Sequence, residues 1–246
     1  MTIPTPQRTV VVGASSGIGR ATAELLALSD HEVLAIGRDP RKLAELEREA
    51  ARRGFDARLS VRAADAADPD AIRAAFEAFG AFHHLVLSPS SSRGMGAIAT
   101  LDLAELRAGF DGKFWPHVVA LQAALPSLDP EGTITLITAG SSGAAFPGTA
   151  GLAAINGALD AMVPVLAVEL APRRVNAVSP GVIDTPWWAG LPPQTREALF
   201  AQYAAKAPAG RVGRPDDVAD AVRFLVHNTF TTGAVLKVDG GARFTP

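Results

Sequence analysis

The stretch Val10-Val11-Val12-Gly13-Ala14-Ser15-Ser16-Gly17-Ile18-Gly19 decides the fold. A short β-branched run closes on glycines, and an Ala/Leu-rich helical pattern follows from Arg20 to Leu28. Physically this is a strand, a tight turn and a helix start. Gly13 supplies a backbone angle that side chains resist. Gly17 and Gly19 remove side chains where turn and helix come close to another group. The unpaired N–H groups and positive dipole end of that helix suit a phosphate. A glycine triplet alone is a weak signal. Set between a strand and a helix it points to a dinucleotide pyrophosphate, with Ser15, Ser16 and Ile18 completing the loop, against the plainer reading of a connecting turn.

Outward from this loop, apolar runs alternate with amphipathic segments. Strands are expected at Thr9–Val12, Glu32–Ile36, Ala57–Val61, His84–Leu87, Thr133–Thr138, Val175–Ser179 and Ala234–Val238. Helical patterns fill Gly17–Leu28, Pro40–Arg53, Pro69–Phe79, Leu101–Leu125, Ala150–Leu170, Gln194–Ala205 and Pro215–Val226. This alternation predicts an α/β Rossmann fold: a doubly wound, mostly parallel seven-stranded sheet with helices on both faces. Residues 1–246 read as a single dinucleotide-binding domain. Pro40, Pro69 and Pro215 suit first helical turns, and Asp39 and Asp68 suit N-caps. Pro116 and Pro164 fall inside long helical patterns and predict local kinks.

Composition excludes several classes. The 246 residues are 48% hydrophobic and 20% charged, an ordinary globular balance with ample core. A net charge of −2 leaves no electrostatic footprint for nucleic acid or an anionic membrane. No apolar run reads as a membrane span and no leader pattern is seen, so a cytoplasmic protein is expected. With no cysteine, disulfides, thiolate zinc sites and cysteine nucleophiles are excluded. The five histidines are scattered, and His83-His84 reads as a loop pair before a strand, so no metal is expected.

The second strand ends Ala35-Ile36-Gly37-Arg38-Asp39. In a dinucleotide fold a carboxylate about 20 residues past the glycines accepts ribose hydroxyls and selects NAD. That place falls on Gly37, and Arg38 follows; a guanidinium there pairs with a 2′-phosphate. NADP(H) is therefore expected over NAD(H), with Asp39 as the competing ribose ligand. After the third strand, Asp65 sits where an adenine amino group would donate, with Ala66 beside it; a loop cap is the alternative. Ser88 and Pro89, after the fourth strand, border the same nucleotide.

These motifs, with Arg174-Val175-Asn176-Ala177-Val178-Ser179-Pro180-Gly181-Val182-Ile183-Asp184-Thr185-Pro186 and Gly213-Arg214-Pro215-Asp216-Asp217-Val218-Ala219, closed by Thr232-Gly233 and Val238-Asp239-Gly240-Gly241, resemble the short-chain dehydrogenase/reductase family over essentially the whole chain. The resemblance implies that Pro180, Gly181, Ile183 and Thr185 lie along the nicotinamide. It implies a substrate lid at about residues 184–210, with Trp187 and Trp188 either in the lid or against a subunit neighbour. It also implies a homodimer or homotetramer, with the apolar helix Ala158–Leu170 as interface or core.

The proton-transfer side departs from the family. There, a tyrosine four residues before a lysine exchanges a proton with the substrate oxygen, helped by a serine and an asparagine. This chain has one tyrosine, Tyr203, followed four residues on by Ala207, and none of Lys42, Lys113, Lys206 and Lys237 has a tyrosine four before it. Alignment puts Leu152 at the tyrosine position, Asn156 at the lysine position, Ala139 or its neighbours at the serine position and Asp111 at the asparagine position. The replacement candidates are Asp111, expected in a partly buried pocket with a raised pKa, Ser141 or Ser142 as carbonyl orienters, and Asn156 as a ribose ligand; Lys113 is a further candidate, or an ion-pair partner of Asp111. Tyr203 could fold over the site from the lid. The expected function is an atypical NADP(H)-dependent oxidoreductase for a small-molecule carbonyl, alcohol or activated double bond. The alternatives are an NADP(H)-binding sensor or partner protein without turnover, and a non-redox lyase or isomerase.

Overall fold

A computed structural model describes residues 6–244 of the chain. Its seven strands are β1 (Arg8–Val12), β2 (Glu32–Gly37), β3 (Leu59–Ala63), β4 (Phe82–Leu87), β5 (Leu128–Ile137), β6 (Arg174–Pro180) and β7 (Val235–Val238). They form one sheet in the order β3-β2-β1-β4-β5-β6-β7, parallel at every pairing. The helices are α1 (Gly17–Leu28), α2 (Pro40–Arg53), α3 (Pro69–Phe79), α4 (Leu103–Gly112), α5 (Phe114–Ala124), α6 (Ala150–Glu169), α7 (Pro193–Lys206) and α8 (Pro215–His227). The strand order reverses direction between β1 and β4, and a crevice opens there at the carboxyl ends of the strands.

The period of two in each strand sorts the core into two layers. Val10, Val12, Leu85 and Leu87 join a cluster with Ile72 and Phe76 of α3, Ala120 of α5 and Leu159 of α6. Val11, Val33 and Val86 face the other way, onto Ala23 and Leu26 of α1, Leu46 of α2 and Val222 of α8. Asp39 caps α2 by accepting from Arg41 N at 2.9 Å, and Asp68 caps α3 by accepting from Asp70 N and Ala71 N. Pro40, Pro69 and Pro215 each open their helix.

Four details differ from expectation. The helix expected over Leu101–Leu125 is two helices, broken at Lys113 (φ −133°, ψ −61°). Pro116 is the cause. A proline ring clashes with the carbonyl four residues back, here Gly112, so the break falls upstream and Pro116 sits in the first turn of α5, where its missing N–H is not needed. α6 runs as one helix through Pro164. Third, α6 is long and apolar enough to cross a membrane by length and composition, contrary to the sequence reading. Yet it lays Gly151, Ile155, Asn156, Leu159 and Val163 into the core, while Val165 and Val168 stay exposed.

Fourth, His83 and His84 are not in a loop but inside β4. His83 Nδ1 accepts from Arg8 N at 2.9 Å. His84 is buried, with its ring nitrogens 3.0 Å from Thr133 Oγ1 and 3.1 Å from Gln7 Oε1. His31 is buried beside it, 2.8 Å from Thr9 Oγ1, and its ring meets those of His84 and His227. Among the described residues no cluster suits a metal. Burial first, and then neighbouring histidine charge, lowers the pKa of His31 to about 4 and of His84 to about 3. Both are neutral in the folded protein at pH 7. On acidification the unfolded chain takes up these protons first, near the ordinary histidine value of 6.5, so this stability is complete above that value and drains away below it, down to the folded values. The thermal midpoint is expected to drop by several degrees from about pH 7.5 to about pH 5, and His84→Asn to flatten that slope. Scanning calorimetry at the two pH values checks this; equal slopes for both proteins remove the histidines as its cause.

Candidate active site

The crevice at the β1/β4 switch is a cleft of about 750 Å³. Its floor is the glycine loop. Gly13 has φ +85°, and a Cβ there would lie 2.6 Å from the Ser88 carbonyl, so only glycine lets β1 turn against the chain leaving β4. The N–H groups of Gly13 and Ala14 both donate to Ile36 O at 2.9 Å, tying the loop to the end of β2. Ser15, Ser16, Gly17 and Ile18 then border the cleft at the start of α1, where the first N–H groups have no intrahelical acceptor. Gly19 does not line the cleft, contrary to its assignment as a cofactor ligand. A Cβ there would strike the Gly13 carbonyl, so its role is to let α1 pack onto the turn.

The remaining residues expected to hold the nucleotide converge on the same cleft: Arg38, Asp65, Ala66, Ser88, Pro89, Pro180, Gly181, Ile183 and Thr185 all line it. Arg38 is exposed at the carboxyl end of β2 and has no hydrogen bond or ion pair among the described residues. A Cβ on Gly37 would lie 2.8 Å from Ser15 Cβ, so the position that often carries a carboxylate has no room for one. Asp39 is held as the α2 cap and is 3.6 Å from Arg41 Nε, and these bonds lower its pKa, the Arg41 backbone N–H contributing most. Asp65 Oδ1 accepts from Ala67 N at 3.0 Å while the residue remains at the cleft wall. A cradle that a Cβ would fill, free helix N–H groups and an unpaired guanidinium fit a dinucleotide carrying a 2′-phosphate.

At the far end, side chains replace phosphates as the theme. Leu152 faces the cleft, with Met95, Phe146, Ile155 and Trp187 making the wall apolar. Asn156 is buried; its Nδ2 donates to Leu152 O at 2.9 Å and to Ser141 Oγ at 3.2 Å, and its Oδ1 has no partner. Ser142 Oγ donates to Asp160 Oδ2 at 2.5 Å. Lys237 Nζ, on β7, reaches Ser179 Oγ at 3.1 Å and both Ser142 Oγ and Asp160 Oδ2 at 3.4 Å. Asp160 Oδ1 is buried and unpartnered.

Asp111 does not behave as expected. It stands at the rim in the last turn of α4, with an exposed side chain and no hydrogen bond or ion pair among the described residues, Lys113 included. The chain breaks two residues later, and it is the Lys113 side chain that turns inward. Lys113 is buried and lines the cleft, and its Nζ donates to Thr138 O at 3.0 Å. Burial lowers its pKa to about 8, with Asp160 pulling the other way. The signal for it lay in the sequence: Pro116 four residues past Gly112 forces the break that aims residue 113 at the site.

The two tryptophans pack within the chain. Their rings meet edge-on at 4.5 Å; Trp187 Nε1 donates to Ser91 O at 3.1 Å and Trp188 Nε1 to Ile183 O at 2.9 Å, and both line the cleft. Tyr203 Oη donates to Asp239 O at 2.8 Å and lies against Gly181, where a Cβ would collide with it. Tyr203 thus borders the cleft, with its phenol tying α7 to the turn after β7.

The sequence model described as enoyl-(acyl carrier protein) reductase matches residues 13–243. Cis-4-hydroxycyclohexanecarboxylate dehydrogenase of Sinomonas cyclohexanicum is 34% identical over 251 residues, covering 94% of this chain and 94% of that protein. 2-(R)-hydroxypropyl-CoM dehydrogenase of Xanthobacter autotrophicus is 33% identical over 248 residues, covering 94% of this chain and 96% of that protein. A small-chain dehydrogenase solved in complex with NADPH shares 32% identity and a TM-score of 0.83, covering 98% of this chain and 100% of that one. The chain belongs to the short-chain dehydrogenase/reductase family of oxidoreductases.

Burial raises the Tyr203 pKa above its ordinary value of 10.0. Because the chain has one tyrosine, ultraviolet difference absorption reads this group alone. The expected midpoint lies above 10.0 in the folded protein. A midpoint below that value would return the phenol to the list of proton donors.

Proposed function

We propose that the protein is an NADP(H)-dependent oxidoreductase acting on a small apolar carbonyl or alcohol, or on an activated double bond. The observation that carries the cofactor choice is Arg38, a guanidinium without a hydrogen-bond or ion-pair partner among the described residues, beside a Gly37 that excludes a carboxylate. The NADPH found with a 32%-identical relative supports the same choice. When bound, the nicotinamide would supply or accept the hydride.

The chain's own residues do the rest. The first turn of α1 would hold the pyrophosphate, and Pro180, Gly181, Ile183 and Thr185 the nicotinamide end. Asn156 Oδ1, buried without a partner, would accept from a ribose hydroxyl, and Ser141, already bonded to Asn156, would orient a substrate oxygen. The apolar wall of Met95, Phe146, Leu152 and Trp187 favours a hydrocarbon or aromatic substituent next to the reacting group. Residues from about 184 to 210 would act as the lid, keeping water from the hydride. The exposed Val165 and Val168 on α6 suit burial against a second copy.

A second reading, NADP(H) binding without turnover, is favoured by Leu152, which faces the cleft from the position of the family tyrosine. Fluorescence titration and steady consumption separate the two. Arg38→Ala is expected to weaken NADPH roughly 10- to 100-fold while changing NADH little. Equal loss of both nucleotides rejects the cofactor choice. Steady NADPH consumption with aromatic aldehydes or enones supports turnover, and binding without consumption supports the second reading.

A further inference from the structure

The side chain that the cofactor fit leaves unexplained is Lys113. A long cationic side chain is almost never buried without a carboxylate on it. Among the described residues the ammonium's partner is one neutral carbonyl, Thr138 O. It reaches that carbonyl only because the chain breaks between α4 and α5. It lines the same cleft as Leu152, Ser141 and Asn156. An ammonium has three donor hydrogens, so two remain for other acceptors.

We infer that Lys113 is the proton donor and acceptor of this site, taking over the role of the missing phenol from a different wall of the cleft. This rests on the oxidoreductase reading above. In the reductive direction a hydride adds to the carbonyl carbon, the carbon–oxygen π bond breaks, and the electron pair collects on oxygen. An N–H bond of Lys113 breaks and the new O–H bond forms, leaving an uncharged amine that solvent reprotonates. Oxidation of an alcohol runs the same steps backwards, with the uncharged amine taking the hydroxyl proton.

The surroundings fit both forms. Two neighbouring groups, on α6 and α5, interact electrostatically with Lys113, and a third titratable group stands on α4. On α6, Asp160 supplies the negative charge that favours the ammonium. It is shared with Ser142 and with Lys237 on β7, which hold it in place and temper its charge. On α5, His117 is buried against the Lys113 carbonyl and held neutral, its pKa lowered to about 3 by burial and by Lys113 itself. On α4, Asp111 is exposed at the rim. Desolvation opposes the Asp160 charge, and an amine balanced between them exchanges a proton near neutral pH, as an acid–base group requires. Lys113 is the catalytic residue in this scheme; Asp160 is a positioning residue.

Two measurements test this. The first needs neither cofactor nor substrate: competitive acetylation with acetic anhydride across pH, read by peptide mass spectrometry in the full-length protein, with Lys42 as the exposed reference. Lys113 is expected to label with a midpoint near 8, and Asp160→Asn to move that midpoint to lower pH. A Lys113 midpoint equal to that of Lys42, or no labelling at any pH, overturns the inference.

The second is NADPH consumption with 4-nitrobenzaldehyde. Lys113→Met is expected to lose roughly 100-fold or more in kcat while NADPH fluorescence titrates as in the parent protein. Lys113→Arg keeps the charge, but a guanidinium does not release a proton near neutral pH, so it is expected to fall similarly. In the parent, reduction falls as pH rises through the amine's midpoint, and Asp160→Asn moves that limb to lower pH. Retained kcat in Lys113→Met, or a limb unmoved in Asp160→Asn, overturns the inference. If the parent protein binds no NADPH, the oxidoreductase reading fails; the acetylation midpoint then decides Lys113 by itself.

Discussion

The contact on which the rest depends is the approach of the Gly13 backbone to the Ser88 carbonyl. Two parallel strands, β1 and β4, leave the sheet side by side and turn to opposite faces, and a crevice opens only if their exits fit together. A Cβ at Gly13 would lie 2.6 Å from that carbonyl at an angle side chains resist. The same turn is pinned to β2 by two N–H groups on Ile36 O and seated on α1 through Gly19. Helix start, Arg38 and the β4 exit are thereby brought to one cleft.

The two ends of that cleft are built from different physics. The nucleotide end uses backbone N–H groups, glycines and one free guanidinium, all supplied within about 30 residues of one another in sequence. The proposed reacting end uses side chains from β6, β7, α6, the α4–α5 break and the loops after β4 and β5, which meet only in the folded chain. It is apolar on one wall and charged behind: the Lys113 amine is buried, while the half-buried Asp160 carboxylate is paired with Lys237 and Ser142 rather than with Lys113. That arrangement leaves the Lys113 amine with no carboxylate locked onto it among the described residues.

Much of the architecture was legible in the order of residues. The strand alternation, the α2 and α3 caps at Asp39 and Asp68 and the Arg38 side chain at the β2 exit follow from local rules, because each depends on neighbours a few residues away. His83-His84 departs from the loop reading for the opposite reason: polar residues signal a loop by composition, yet the Arg8 N–H, Gln7 and Thr133 meet them from elsewhere in the fold and satisfy ring nitrogens. Asp111 stays at the surface because the helix is not continuous; a proline acts on the carbonyl four residues before it, and the resulting break turns Lys113 inward instead.

By itself the sequence determined the doubly wound sheet, the glycine loop after β1, the lack of any tyrosine followed four residues later by lysine, and a glycine, followed by Arg38, at the place where a dinucleotide fold often has a carboxylate. These are properties of spacing and residue type, and spacing survives folding unchanged. Only the tertiary structure decided that Lys113 is buried, that Asn156 Oδ1 and Asp160 Oδ1 lack partners, and that Tyr203 is tied to Asp239. Burial and hydrogen-bond satisfaction are set by atoms tens of residues apart in the chain, and no local pattern encodes which of them will meet.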